Sequence, residues 1–287
     1  MEILSKAVPV AMLVFVVSSM LAVGVNLTVA QILAPLRNYR IVFSALLANF
    51  VLMPAMAWAL ARLLRLDEPL GIALLLLGAA GGAPFLPKLV GIAKGNVAFA
   101  VGLMVLLLLL TIGYMPVVLP LLLEGVSVEP MKIARSLLPL MLLPLGAGLV
   151  LRARFCDTAD RIRMPLNRIS SLSLALLFVL LLVTNFKNVI ALFGTRGMLA
   201  SILFLFGGAG IGWLLGGPDA GARGVMALGT AQRNLAAALA VAGQNFNDPQ
   251  VLVMVVVVGV VGLLIVTPLA RFLGARGTTA GLRNITV

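Results

Sequence analysis

The stretch GTAQRNLAAALA at residues 229–240 places Arg233 between the amides Gln232 and Asn234, inside an otherwise apolar segment. An arginine side chain keeps its proton in a protein, and burying that charge costs several kcal/mol unless water or protein groups compensate it. A polar run that directly follows a glycine and a threonine predicts an interrupted helix. The stretch therefore indicates a cation held by irregular backbone inside the molecule.

A second stretch, GAAGGAPFLPK at residues 78–88, also predicts an interrupted helix. Proline lacks the amide donor that a helix needs, and glycine tolerates backbone angles that helices do not use. Lys88 lies beside this break, as Arg233 lies beside the other. The residues predicted to break the two helices are Gly81, Gly82, Pro84 and Pro87 in one stretch and Gly229 in the other.

The composition places these stretches in a membrane. Hydrophobic residues make up 62% of the chain and charged residues 10%, with a mean hydropathy of +1.18. Uncharged runs of roughly 20 residues recur, and a helix of that length crosses about 30 Å of hydrocarbon. We therefore predict an all-α polytopic membrane protein with a single transmembrane domain at 1–287. The nine predicted spans are at about 7–34, 41–63, 69–93, 96–124, 133–152, 166–193, 197–217, 221–246 and 249–273.

The two interrupted segments are the third and eighth predicted spans, at about 69–93 and 221–246. Irregular backbone at membrane depth is tolerated only where it is buried in protein or lines a water-filled cavity. Because the segments are an odd number of spans apart, they cross in opposite directions, as in transporters built from inverted repeats. We therefore expect two crossing discontinuous helices that meet at a binding site near the membrane midplane.

The charged residues predict the orientation and exclude some partners. The formal net charge is +12, but the basic residues are scattered between apolar spans and form no stripe with aromatic residues. We therefore expect a lipid bilayer, not nucleic acid, as the partner of these charges. Placing the N-terminus outside puts the larger share of Lys and Arg inside, led by a basic loop around 152–168. This predicts that the N-terminus lies outside and the C-terminus inside.

The groups that enzymes use are missing from the predicted spans. The chain has no histidine, and all nine acidic residues fall in or beside predicted loops. No nucleophile stands beside a plausible base, and no residues have metal-ligand spacing. We therefore predict no enzyme activity and no cofactor.

From GGAPFLPKLVGIAKGNVAFAVGL at 81–103 through GTAQRNLAAALAVAGQNF at 229–246, the chain resembles the bile acid:sodium symporter family, including bacterial homologues of the apical sodium-dependent bile acid transporter. The resemblance implies a ten-helix fold, or its nine-helix form without the first helix, divided into a panel domain and a core domain. It also implies uptake of organic anions by alternating access, driven by sodium, and a location in the bacterial inner (plasma) membrane. The two broken helices would cross in the core.

The positions that hold sodium ligands in the family differ in this chain. Sodium is a hard cation that needs several oxygen ligands. The family's Ser-Asn pair falls at about Leu86 and Pro87, and its glutamine in the second span becomes Asn49. The remaining ligand positions carry Ala100, Met104, Ala227 and Ala231. The resemblance therefore implies altered sodium sites.

We interpret the chain as a secondary transporter of a small organic anion, either bile-acid-like or another carboxylate or sulfated compound. Lys88 and Arg233 would replace bound sodium as fixed positive charge, and transport would then be independent of sodium. The arginine fork would hold a carboxylate through two hydrogen bonds, with donors added by helix N-termini near Pro84 and Asn234. The predicted substrate-binding residues are Arg233, Lys88, Gln232, Asn234, Thr230 and Asn26.

Several alternatives stay open at this point. Lys88 would reach the membrane interface if its side chain extends toward the loop, and Arg233 would have a structural role if it bonds carbonyls freed by the break. Sodium-coupled symport would need a weak site near Asn49, Gln232 and Asn234, supplemented by backbone oxygens. Proton coupling through Lys88 and a non-transporting sensor or partner-binding subunit are further alternatives. The sequence leaves the substrate, the coupling ion, the transport direction and the oligomeric state open.

Overall fold

The computed structural model of the chain describes residues 2–28, 39–123, 131, 135, 138–184, 186–187 and 196–283. Regular secondary structure within these residues is helical throughout, so the all-α prediction is confirmed. Short π-helical turns occur at Ala48–Leu52, inside the second helix, and at Leu138–Leu142, before the sixth. The helices are α1 Glu2–Asn26, α2 Tyr39–Leu63, α3 Glu68–Ala79, α4 Leu86–Ile92, α5 Val97–Leu122, α6 Leu143–Arg154, α7 Cys156–Thr184, α8 Arg196–Leu215, α9 Ala220–Ala231, α10 Leu235–Asn245 and α11 Pro249–Arg283.

Seven helical segments of the described chain are long and apolar enough to cross a membrane, which confirms a polytopic membrane protein. They are Ala7–Asn26, Tyr39–Leu63, Val97–Leu122, Cys156–Leu180, Arg196–Leu215, Ala220–Asn245 and Pro249–Ala275. The predicted third span is absent from this set because its helix ends at Ala79. The predicted ends of spans at 34, 124 and 193, and the predicted start at 133, lie outside the described residues. The count of nine spans therefore stays a prediction.

The prediction that the basic segment around 152–168 is a loop is wrong, because nearly all of it is helical. Helix α6 continues to Arg154 and α7 begins at Cys156, so Phe155 alone separates the two helices. Both helices extend through this segment because arginine is a good helix former, so a charged segment does not require a loop. Arg152 on α6 bonds Asp160 on α7 across this corner.

Helices α1, α6 and α7 pack against one another as one group. Gly24 and Gly148 allow α1 and α6 to approach closely: a Cβ atom on Gly24 would lie 2.8 Å from the Cα atom of Gly148. Small residues at such a contact let two helix backbones meet in a membrane. The panel domain that the resemblance implies stays a prediction, for which this group is the candidate, and α1 joins the group to the rest of the molecule by also contacting α10.

The core contains α2 to α5 and α8 to α11, with the broken helices at its centre. Residues 70–79 of α3 and residues 235–242 of α10 are buried on every side. A helix without a polar stripe is expected to be buried all round. The innermost position of α3 and α10 brings both predicted breaks into the middle of the protein.

The first break lies between α3 and α4. Ala80 leaves the helical region with φ −93° and ψ 82°, and Gly82 has a positive φ of 74°. A Cβ atom on Gly82 would lie 2.2 Å from the backbone nitrogen of Leu108 on α5, so the position requires glycine. Pro87 stands in the first turn of α4, where a missing amide donor is tolerated.

The second break lies between α9 and α10, and it begins later than the sequence predicts. Gly229 is helical, and α9 continues to Ala231 before Gln232 becomes extended. Gly229 instead provides space, because a Cβ atom there would lie 3.1 Å from a methyl carbon of Leu86 on α4. The backbone amide of Asn234 donates to the carbonyl oxygen of Ala80 at 2.9 Å, so the two breaks meet. The prediction of two crossing discontinuous helices is confirmed.

Candidate functional site

The guanidinium of Arg233 is surrounded by oxygen atoms at the point where the two breaks meet. Only 3% of the residue is exposed. Nε donates to the carbonyl oxygen of Leu77 at 2.8 Å, and Nη2 donates to that of Gly78 at 2.8 Å. Nη1 donates to the side-chain oxygen of Asn49 at 2.6 Å and to the carbonyl oxygen of Thr230 at 3.1 Å. Arg233 therefore faces the protein interior and bridges α2, α3 and α9.

These carbonyl oxygens are available because two helices end here. The last carbonyls of an α-helix have no amide donor further along the same helix. Leu77 and Gly78 lie in the last turn of α3, and Thr230 lies in the last turn of α9. The C-terminal end of a helix also carries partial negative charge, which favours a cation. The two helix ends thus compensate a charge that would be costly inside a membrane.

Asn49 is positioned by an irregular turn in α2. The residue is fully buried and lies in the π-helical turn Ala48–Leu52. Its side-chain amide donates to the carbonyl oxygen of Ala45 at 3.0 Å, which leaves the oxygen pointing at Arg233. Pro54 follows and lacks the amide that would bond the carbonyl of Phe50 in a regular helix. The turn therefore has a local cause in the sequence, and it fixes the side chain that completes the Arg233 cluster.

One residue of α5 supports the first break and another supports the irregular turn of α2, and sequence analysis missed both. The hydroxyl of Thr111 donates to the carbonyl oxygen of Gly81 at 3.1 Å. The hydroxyl of Tyr114 donates to the carbonyl oxygen of Phe50, and the two rings lie 4.8 Å apart between centroids. A threonine and a tyrosine three residues apart in an otherwise apolar span were the available signal, since buried hydroxyls need partners.

Gln232 and Asn234 flank the arginine and are buried to 94% or more. The side-chain oxygen of Asn234 accepts from the backbone amide of Ala237 at 3.1 Å, which caps α10. Gln232 Oε1 and Asn234 Nδ2 have no hydrogen-bond partner within the described part of the chain. The site therefore contains one unused acceptor and one unused donor beside a fixed positive charge.

The structure brings together five of the predicted site residues and places two elsewhere. Lys88 is exposed on α4, with Nζ 5.4 Å above the ring centroid of Phe85. The side-chain nitrogen of Asn26 donates at 2.6 Å to the carbonyl oxygen of Ala22 in its own helix. The residues that meet at the crossing are Arg233, Asn49, Thr230, Gln232 and Asn234.

The arginine has little hydrogen-bonding capacity left for a ligand. A guanidinium has five N–H donors, and four hydrogen bonds from Arg233 end on protein oxygens. One N–H of Nη2 remains. The expected two-point grip on a substrate carboxylate is therefore not available in this arrangement, because the protein backbone occupies the fork.

The residues around Arg233 offer sodium few side-chain oxygen atoms that are not already hydrogen-bonded. The side-chain oxygens of Asn49 and Asn234 already accept hydrogen bonds from Arg233 and Ala237, which leaves Gln232 Oε1 as the free side-chain oxygen of the three. The residues at the family's other ligand positions are apolar and buried: Leu86, Ala100, Met104, Ala227 and Ala231. A sodium ion near this triplet would also lie next to the guanidinium, which disfavours it electrostatically.

A polytopic helical chain with two discontinuous helices that cross at a buried polar cluster has an architecture found in secondary transporters. The sequence model of the sodium bile acid symporter family matches residues 12–192, and the chain belongs to that family. The chain is 28% identical over 181 residues to a relative from Bacillus subtilis (strain 168), the "Uncharacterized sodium-dependent transporter YocS". The alignment covers 61% of this chain and 53% of the relative, so the chain spans about half the length of the relative it matches.

Proposed function

We propose that the protein carries a small organic anion across the membrane by alternating access, without sodium coupling, and that Arg233 takes the place of a bound cation. The observation that supports this most directly is the oxygen shell of the guanidinium. Its acceptors come from α2, α3 and α9, the helices that have to stay together at the crossing.

A bound sodium ion and this guanidinium would satisfy the same requirement. A hard cation at a helix break is held by backbone carbonyl and side-chain amide oxygens. Arg233 is held by three backbone carbonyls and one amide oxygen. Because the guanidinium is covalently part of the chain, it cannot leave during the transport cycle. An ion gradient would then have no ion to move at this position.

The fixed charge would select the substrate by sign. Arg233 contacts neutral oxygens, and within the described residues no carboxylate bonds it. An uncompensated positive charge in a medium of low polarity attracts anions over longer distances than hydrogen bonds reach. We therefore propose attraction by charge, with specific contacts supplied by Gln232, Asn234 and Thr230. Exposed Lys88 and half-buried Asn26 would meet the anion along its path.

Uptake into proteoliposomes tests the proposal. Labelled carboxylates and sulfated steroids are offered in sodium buffer and in matched choline buffer. We expect equal initial rates in both buffers, a lower rate for Arg233→Ala, and an unchanged rate for Arg271→Ala, since Arg271 is exposed on α11. Uptake stimulated by sodium would instead establish sodium symport. Absence of any flux, with folded protein in the vesicles, would favour the non-transporting sensor.

A further inference from the structure

A small cavity lies beside the Arg233 cluster, between α3, α8, α10 and α11. The volume of the cavity is about 10 Å³, and Gln232 and Arg233 are its polar lining residues. Leu77, Leu205 and Gly262 are among the remaining lining residues. A space of this size holds a single water molecule or one small atom.

The polar groups at this cavity are the guanidinium of Arg233, which donates, and the amide of Gln232, which carries a donor and an acceptor. Arg233 has one N–H of Nη2 left after its bonds to the protein. The side-chain oxygen of Gln232 bonds none of the described residues, and the side chain is 94% buried. The amide of Gln232 can turn over to present its nitrogen in place of its oxygen, so both residues can donate a hydrogen bond to an occupant of the cavity. An occupant that accepts hydrogen bonds therefore fits better than one that only donates.

The charge of the site distinguishes between the acceptors. Arg233 is bonded to four neutral oxygens and, within the described residues, to no carboxylate. A buried cation without a counter-ion is strongly unfavourable, so an anion gains more in the cavity than a neutral molecule does. Leucine, valine and glycine form the other walls, and they offer no polar side chain that would compete with the guanidinium for the occupant.

We propose that this cavity binds a single anionic acceptor atom, which accepts hydrogen bonds from Gln232 and Arg233. The atom is either a free halide ion or a terminal oxygen atom of the transported anion. The halide case is independent of the transport proposal, whereas the substrate case rests on the proposed function. Either occupant serves as counter-ion to the buried guanidinium.

A substitution that fills the cavity tests whether the cavity is the binding site. A Cβ atom at Gly262 would lie 3.5 Å from a methyl carbon of Leu205, an ordinary contact, so Gly262→Ala occupies the space without displacing backbone. Gly210→Ala is the matched control, because a Cβ atom there meets nothing within 4 Å of the described structure. Both changes place alanine in a helix, so their effects on helix propensity are the same.

The first experiment measures the melting temperature of purified protein in choline chloride, bromide and gluconate at equal ionic strength. We expect a saturable rise in chloride and bromide, on the order of 3 °C for each tenfold increase above the dissociation constant. The rise is expected in the wild type and in Gly210→Ala but not in Gly262→Ala. Equal melting temperatures in chloride and gluconate, with no bromide located beside Gln232 crystallographically, would overturn the proposal and leave water as the occupant.

The second experiment distinguishes the two sources of the anion. If a halide resides in the cavity throughout transport, chloride stabilises the protein and leaves the KM for the organic anion unchanged. If the substrate places an oxygen atom there, chloride raises KM competitively. Both results support the cavity as an anion subsite. If no substrate is transported at all, the melting experiment still decides whether the cavity binds an anion, so failure of the transport proposal is recognisable separately.

Discussion

The guanidinium of Arg233 donates to the side-chain oxygen of Asn49 at 2.6 Å, across 184 positions of the chain. This bond links the second break to α2, and α2 reaches the second break also through Thr230, whose hydroxyl lies 3.5 Å from the Asn49 nitrogen. Of the four oxygen atoms that accept hydrogen bonds from the arginine, the Asn49 oxygen is the one that belongs to a side chain. Substitutions of Arg233 and Asn49 therefore test most directly whether Arg233 takes the place of a bound cation.

We predict that Arg233→Ala destabilises the protein and becomes responsive to added cations. Removal of the side chain leaves the oxygens of Gly78 and Asn49 without a donor, at about 1–3 kcal/mol for each buried group left unpaired, whereas the Leu77 oxygen still accepts from the Ala80 amide. Millimolar guanidinium is expected to restore part of the melting temperature of Arg233→Ala, because it fits the vacated oxygen shell. Arg271→Ala is the control and should show no such recovery; recovery in both variants, or in neither, would contradict the prediction.

We predict that Asn49→Asp reduces anion transport and loses the hydrogen bond to the Ala45 carbonyl oxygen, which lowers the melting temperature. The substitution keeps an oxygen against Arg233 and adds a negative charge at 2.6 Å separation, so the pair becomes neutral. The field that attracts an anion is then largely cancelled, and initial uptake should fall at least about tenfold, which corresponds to about 1.4 kcal/mol. Uptake and melting temperature are measured on the same preparations. Asn167→Asp, at an exposed position, is the matched control, and an equal fall there would point to a general charge effect.

We predict a large loss of stability for Gly82→Ala. An alanine at φ +74° is strained, and its Cβ atom would lie 2.2 Å from the Leu108 nitrogen, so α5 has to move. Left-handed backbone and overpacking together cost about 2–5 kcal/mol. The variant should melt earlier and express poorly, whereas Gly113→Ala, with nothing within 4 Å of the added carbon, should match the wild type. Similar behaviour of the two variants would show that the first break tolerates a side chain.

We predict that Cys156 reacts with a membrane-impermeant maleimide from the inner side only. It is the single cysteine of the chain and is exposed at the start of α7. The positive-inside rule places this arginine-rich corner inside. Labelling should therefore occur in inverted vesicles and not in intact spheroplasts, with Cys156→Ser as the blank. Labelling from outside would reverse the predicted orientation of both termini.

The breaks were predictable because their causes are local. The prolines and glycines at 81–87 interrupt a helix whatever its surroundings in the fold. The polar triplet at 232–234 indicates a break because it lies in an apolar segment. The exact end of α9 was not predictable, since Gly229 stays helical by packing against Leu86. Propensity alone does not distinguish a glycine that ends a helix from one that makes room for a neighbour.

The partners of Arg233 were beyond the sequence for a different reason. Three of its four acceptors are backbone carbonyls, which every residue has, so no residue type marks them. The fourth, Asn49, stands out as an amide in an apolar span, but its distance to Arg233 follows from the tertiary fold alone. Lys88 shows the converse, because a cation beside a break was expected at the crossing and lies exposed above Phe85.

If the cation at the crossing is part of the polypeptide, the concentration ratio of the transported anion that the carrier can maintain is limited. With no co-transported ion, the driving force is the concentration ratio of the cargo plus the membrane voltage acting on its charge. That voltage contributes about 2.3 kcal/mol per elementary charge at 100 mV. Under an inside-negative voltage and equal concentrations, a monovalent anion bound at this crossing would flow outward, so the oxygen shell of one arginine would make the carrier an exporter by default.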